Sequence, residues 1–253
     1  MIVTFLGTGT SQGVPVIGCS CEVCRSLDFR DKRLRTSLHL QTDNLSIVID
    51  TGPDFRQQML RESIPEIHAV VFTHAHRDHV AGLDDVRAYN FLQKMDIPVY
   101  GTKEVFDQIK REFDYIFNSN PYPGIPRLEL HEISNEPFSI HGLSITPLPV
   151  LHFKMNVQGF RIKDFSYITD ANHIPRETLS LLKGTKTLIL NALQKEEHIS
   201  HFNLQEALDM IALINPQKAY LIHLSHKMGL HKAVEKELPE GVFLPYDGLQ
   251  IEV

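Results

Sequence analysis

A layered α/β body is the fold class this sequence predicts, and two observations predict it. Strand-sized runs rich in Val, Ile, Leu, Phe and Thr recur along the whole chain, and helical patterns lie between them instead of gathering at one end. The chain also lacks a Pro/Gly/Ser-rich linker, a low-complexity tract and a short repeat, so residues 1–253 are expected to form one domain.

The elements follow in order. "MIVTFLGTG" has neither a basic start nor a small-residue cleavage site and reads as a first strand over 1–6, not as a signal peptide. Runs at 37–41 and 45–50 follow, then the helical "DFRQQMLRES". An apolar strand at 68–73 leads into "AGLDDVRAYNFLQ", and a strand at 97–100 into "KEVFDQIKREFDYIF". Strand patterns then recur at 127–133, 143–149, 157–162 and 165–169. The helical "IPRETLSLLKG" precedes a strand at 185–190, and "NLQEALDMIALI" precedes one at 218–223. Between them, "FNSNPYPGIPR" over 117–127 holds three prolines and a glycine and must be a surface loop, either a connection or a cover over a pocket.

Composition narrows the function. With 42% apolar and 22% charged residues, the chain is an ordinary soluble globular protein. Its longest apolar runs are strand-sized, which predicts no membrane anchor and a cytoplasmic address. The formal net charge of −6 argues against bulk nucleic-acid binding and for a small substrate. The basic run "RSLDFRDKRLR", with Arg25, Arg30, Lys32, Arg33 and Arg35, reads as a solvated loop or as a phosphate-steering rim. A homodimer stays open.

The densest chemistry is "VVFTHAHRDHVAGLDD". Residues 69–72 form a buried strand, so His74, His76, Asp78 and His79 sit where it ends and a helix begins, the edge at which sites of open α/β sheets collect. Four borderline or hard ligands in six residues can hold one or two divalent ions, whereas crowding them without metal is electrostatically costly. Asp50, ending "LSIVID", reads as a carboxylate orienting a metal-bound histidine or as a turn residue. Asp84 and Asp85 read as helix-capping or salt-bridging residues. His39, His68, His131, His141, His173 and His198 read as packing or surface residues.

H-x-H-x-D-H after an apolar strand resembles the metallo-β-lactamase superfamily. That resemblance implies a four-layer αββα sandwich and places the remaining ligands at strand ends. It puts His152, after "ITPLPVL", with His74 and His76 on a first metal; Asp170, ending "FSYITD", as the bridging carboxylate; and His223, ending "KAYLIH", with Asp78 and His79 on a second.

All three cysteines, Cys19, Cys21 and Cys24, fall within six positions. A disulfide would leave one thiol over, so zinc explains them better, and tetrahedral zinc wants a fourth ligand. "LIHLSHKMGLH" offers His226 or His231 once His223 is taken. "GTG", "QGVP", "GC-x-C-x-x-C" and "HLSH" together resemble the PhnP-like phosphodiesterase branch of the superfamily, which includes phosphoribosyl cyclic phosphodiesterases and, more distantly, ribonuclease Z. This implies a structural zinc on Cys19, Cys21, Cys24 and His226, leaving His231 as a surface or helix residue.

The resemblance implies further that two catalytic divalent ions, zinc or manganese, share a hydroxide that attacks a small or cyclic phosphodiester, with Asp78 in the catalytic machinery. His201, before a helix that Asn203 can cap, is the implied acid or phosphate-contacting group, with His198 as its substitute. "GTGTSQG" lacks nucleotide-loop spacing, and its glycines are expected to permit a tight turn under the metal site. Asn191, in "LILNAL", stands where some relatives carry Asp. Lactonase, thioesterase or lactamase chemistry and ribonuclease Z-like processing are the competing readings.

Overall fold

Alternation inside apolar strands sets the layers. The computed structural model describes residues 1–118 and 122–253. Its first sheet contains β1 (Ile2–Gly7), β2 (Ser37–Thr42), β3 (Leu45–Ile49), β4 (Ala69–Val71), β5 (Ile97–Gly101) and β6 (Leu128–Glu132). The second contains β7 (Phe138–Ile140), β8 (Leu143–His152), β9 (Met155–Ile162), β10 (Phe165–Ile168), β11 (Thr187–Asn191), β12 (Lys218–Ile222) and β13 (Val242–Phe243). The last strand, β14 (Gln250–Glu252), returns to pair with β1 in the first sheet. In both sheets an antiparallel part is followed by a parallel one: β1 to β3 and then β3 to β6, and β7 to β10 and then β10 to β13.

Side chains at successive positions of a strand face opposite ways. Ile47, Ile49, Ala69 and Val71 therefore meet Phe160, Phe165, Tyr167, Ile189 and Ile222 between the sheets. The intervening Val48, Val70 and Val99 turn outward under Phe55, Met59, Phe106 and Ile109 from the helices Phe55–Arg61 and Lys103–Glu112. Leu188, Leu190 and Leu221 do the same under Ala207 and Ile211 of the helix Leu204–Ile214. Each fully buried side chain of this size contributes about 1.5–3 kcal/mol relative to exposure, so both faces of both sheets must be covered. The result is the expected αββα sandwich.

Each predicted helix is present, but two are interrupted. Leu83–Val86 is a tight turn ahead of Arg87–Gln93, and Asp114–Ile116 is a separate turn after Glu112. In the 117–127 loop, residues 119–121 lie outside the described residues, and with them the question of whether that loop covers a pocket. No helix among the described residues is long and apolar enough to cross a membrane.

Candidate metal centre

Three strands end in a residue with left-handed backbone. Asp50 follows β3 with φ 65°, Asp170 follows the end of β10 with φ 55°, and His223 follows β12 with φ 62°. Such a conformation is uncommon outside glycine and collects at functional sites. The strand ends bring all three side chains together with the turn after β4. That turn lies tightly on the Asp50 loop. A Cβ on Gly52 would stand 2.2 Å from the Asp78 carbonyl oxygen, and one on Gly82 would stand 2.1 Å from that of Gly52. Glycine at both positions is what permits the approach.

Donor atoms converge in overlapping groups, each within 4.8 Å: Asp78, His79, Asp170 and His223; His74, His76 and Asp170; His152, Asp170 and His201. Asp170 belongs to all three. Its Oδ2 lies 3.7 Å from His74 Nε2, and its Oδ1 lies 3.5 Å from His79 Nε2 and 2.9 Å from His223 Nδ1. The His152 ring stands 5.1 Å from that of His76 and 4.4 Å from that of His201. All seven expected ligands and His201 therefore share one cluster, with His201 as close to it as a ligand would be.

The protein fixes which nitrogen each ring presents. His79 Nδ1 donates to Asp50 Oδ2 at 2.7 Å. Thr73 Oγ1 donates to the same carboxylate at 2.8 Å and so accepts from His74 Nδ1 at 2.9 Å. His152 Nδ1 donates to the Ser200 carbonyl at 2.7 Å, and Thr10 Oγ1 lies 3.2 Å from His223 Nε2. The opposite nitrogens of these rings are left for the centre, as partners behind a metal site leave them. Asn172 ties together the two loops that carry His152 and His201, accepting from Phe153 N at 2.8 Å and donating to the Ile199 carbonyl at 3.0 Å.

The residues fit divalent cations. His74 Nε2 and His201 Nδ1 are buried with no hydrogen-bond partner among the described residues, and His79 Nε2 and His223 Nδ1 meet only carboxylates of the same cluster, an arrangement that native interiors avoid unless something else satisfies them. Burial opposes charge on His79, yet the carboxylates of Asp78, Asp170 and Asp50 outweigh it and hold its pKa well above the imidazole range. Burial also raises Asp170, but His223 and His79 overcome it and hold its carboxyl well below the usual range. Burial, with His223 alongside, pushes His201 down to about 3, so the ring can serve as an acid only when an anion bound beside it raises that value. Asp50→Asn would set an amide N–H against His79 Nδ1 or, flipped, against the backbone N–H of Thr73. It is expected to weaken metal binding about 10–100-fold, read as a Kd by competition with a chromophoric chelator.

The cysteines form a second cluster. Cys19, Cys21 and Cys24 Sγ lie 3.4, 3.3 and 3.6 Å from His226 Nδ1. Tetrahedral zinc with ordinary Zn–S and Zn–N lengths has a sulfur–nitrogen edge of about 3.6 Å, so the donor set fits. The Cys24 amide aimed at the Cys21 sulfur, with His226 beside it, lowers that thiol to about 6, while burial pushes Cys24 up to about 11.

Several expectations need correction. Of the two readings of His231, helix holds and surface does not: it opens the helix His231–Val234, is 1% exposed, and its Nδ1 accepts from buried Arg33 at 3.1 Å. The basic run is largely paired within the protein, so it is less freely solvated than expected, with Arg25 left exposed. Arg30 bonds Asp28, Arg35 bonds Asp54, Lys32 reaches the Cys24 carbonyl, and Arg33 donates to Thr8 and the Pro245 carbonyl. Asn191 clasps the backbone of Ala171 through both ends of its amide, next to Asp170. His39 is buried against Ser46, Asp84 pairs with Arg87, and His198 stands 5.3 Å from the His201 ring. Thr10, Thr73 and Asn172 escape a sequence reading. The sole hint is that "GTGT" lies where a turn under the site was expected.

The family described as Beta-lactamase superfamily domain matches residues 46–224. A protein named octanoyltransferase from Porphyromonas gingivalis is 42% identical over 248 residues, which cover 97% of this chain and 50% of that protein. The chain thus spans about half of that relative's length. Among solved structures, a diphosphatase from the PhnP family superposes with a TM-score of 0.93 at 36% identity, covering 100% of this chain and 97% of that one. Zn(2+)-bound PqqB from Methylobacterium extorquens superposes with a TM-score of 0.79 at 18% identity, covering 100% of both chains, and shows the fold alone. With fold, strand-end ligands and cysteine cluster on one side and these matches on the other, the chain belongs to the beta-lactamase superfamily and, within it, to the PhnP family.

Proposed function

We propose that the protein is a metal-dependent phosphoric diester hydrolase acting on small or cyclic diesters. The observation that carries this reading is the placement of Asp170, with one carboxylate oxygen towards His74 and the other towards His79 and His223. We assign His74, His76 and His152 to one divalent ion and Asp78, His79 and His223 to another, with Asp170 between them. Zinc or manganese suits these mixed nitrogen and oxygen donors. Such ions, when bound, lower the pKa of water towards neutrality and neutralise phosphoryl oxygens.

The chain's own residues supply the rest. His201, stacked at 4.8 Å on His223 and 4.4 Å from His152, is the group we place against the phosphoryl or leaving oxygen, where its N–H donates. The backbone of Phe202 donates to the Ala171 carbonyl, and the capping box of Asn203 and Glu206 fixes the helix start, so the ring is held in place. A third, structural zinc is assigned to Cys19, Cys21, Cys24 and His226. Clustered thiolate ligands suit the cytoplasm, where we place the protein. The net charge of −6 favours a small diester over transfer RNA.

The octanoyltransferase likeness supports a second reading, acyl chemistry. In that reading the same cluster of His and Asp would hold the ions that activate water, and water would cleave the acyl bond. The test loads the protein with zinc or manganese and compares bis(p-nitrophenyl) phosphate, a lactam and an octanoyl thioester. Diester turnover is expected. Turnover of thioester or lactam with every diester inert sinks the proposal. His201→Ala is expected to lower kcat about 10²–10⁴-fold for diesters with alkoxide leaving groups. The loss should be much smaller for p-nitrophenolate, which departs without a proton.

A further inference from the structure

Each of the three left-handed strand ends at the centre meets a buried threonine hydroxyl. Thr73 Oγ1 donates to Asp50 Oδ2 at 2.8 Å, and Thr10 Oγ1 lies 3.2 Å from His223 Nε2. The third is Thr169, fully buried just beyond the end of β10, whose Oγ1 donates to Asp170 Oδ1 at 2.7 Å. Its direction is fixed, because an ionised carboxylate has no proton to give.

This bond falls on the carboxylate whose two oxygens face different sides of the centre. The last torsion of an aspartate side chain is broad and roughly two-fold, so the backbone alone does not decide which oxygen faces which side. Asn191 anchors that backbone by bonding both polar groups of Ala171, and still leaves the Asp170 carboxylate free to turn. Oδ2 lies 3.7 Å from His74 Nε2, beyond hydrogen-bond distance. His79 Nε2 and His223 Nδ1, at 3.5 and 2.9 Å from Oδ1, are nitrogens that the centre itself would use. Among the described residues, Thr169 is therefore the one donor to Asp170 that does not compete with an ion.

We infer that Thr169 is a positioning residue for the metal centre: its hydroxyl pins Oδ1 on the side of Asp78, His79 and His223, so that Oδ2 is turned to His74 and one carboxylate serves both halves. It acts through Asp170 and not on substrate. The inference rests on reading the cluster as a divalent-metal centre, and adds the residue outside the ligand set that orients the carboxylate between its halves.

Three substitutions separate the hydroxyl of Thr169 from its methyl group. Thr169→Val keeps the shape and loses the hydroxyl, Thr169→Ser keeps the hydroxyl and loses the methyl, and Thr169→Ala loses both. Manganese is the probe, because thiolates such as those of the cysteine cluster prefer softer ions. Its Kd, read from the electron paramagnetic resonance signal of the free ion, is expected to rise about 10–100-fold in Thr169→Val and Thr169→Ala and to stay within about threefold of wild type in Thr169→Ser. A role in packing alone predicts the reverse grouping, with Val spared and Ser and Ala weakened alike. Wild-type affinity in Thr169→Val, or equal losses in Ser and Ala, overturns the inference. Should Thr169→Val not fold, the Ser and Ala variants decide it, since they differ only in the hydroxyl. A wild type that binds manganese and cleaves no diester removes the diesterase reading by itself, and the Kd values still decide the role of Thr169. A wild type that binds no divalent ion at the centre overturns both.

Discussion

Asp170→Ala is expected to abolish diester hydrolysis and to release metal from the centre in a single step. Its two oxygens face different histidines, at 3.7 Å from His74 Nε2 and at 3.5 and 2.9 Å from His79 Nε2 and His223 Nδ1. No other side chain here belongs to every donor group. Alanine would therefore strip both halves of the centre of an anion and leave facing imidazoles without the charge between them. Bound ions contribute several kcal/mol of transition-state stabilisation, and each 1.36 kcal/mol is tenfold in rate, so a fall in kcat of about 10³-fold or more is expected. Metal content by mass spectrometry should fall together with it. A kcat within about tenfold of wild type, at unchanged metal content, would remove Asp170 from the bridging role, since no interaction worth several kcal/mol would have been lost.

What could be read in the sequence depended on distance along the chain. His74, His76, Asp78 and His79 announce themselves because one turn holds all four, so their spacing alone implies a common target. His152, Asp170 and His223 each end an apolar run, but nothing local shows that three such ends meet. The family resemblance supplied the meeting point, and the sheet order explains it, since β8, β10 and β12 lie in one sheet facing the end of β4. Thr10 could not be found, because its partner His223 is 213 positions away and the two come together only when "GTGT" pairs beside Leu224. His231 is legible as a surface or helix residue but not as a buried one for the same reason: its burial depends on Arg33, 198 positions before it. The strands β7, β13 and β14 escaped because two or three residues carry too little alternation to register. Pairing with a neighbouring strand, more than local propensity, makes them strands.

Cys24→Ala separates the two clusters. One zinc per chain is expected to leave, and amide exchange should quicken around the loop that Cys19, Cys21 and Cys24 staple to His226. Zinc on such ligands is worth on the order of 10 kcal/mol in isolated zinc modules. A loss of that size expressed globally would lower Tm by roughly 20–40 °C in a chain this long. The observed drop should be much smaller, because the large cores between and outside the sheets stay intact and the loop can detach locally. The centre should persist as well. His223 lies three residues before His226, yet its own segment is clamped independently: Leu224 N donates to the Thr8 carbonyl at 2.9 Å, Thr10 N to the Leu224 carbonyl at 3.0 Å, and Ser225 N to the Leu193 carbonyl at 2.8 Å. With those bonds in place, kcat should fall by less than about tenfold, the scale of one or two weakened hydrogen bonds. A loss as deep as that of Asp170→Ala would mean that the zinc at Cys24 and the centre at His223 form one cooperative unit, and that the clamp on Leu224 does not insulate them.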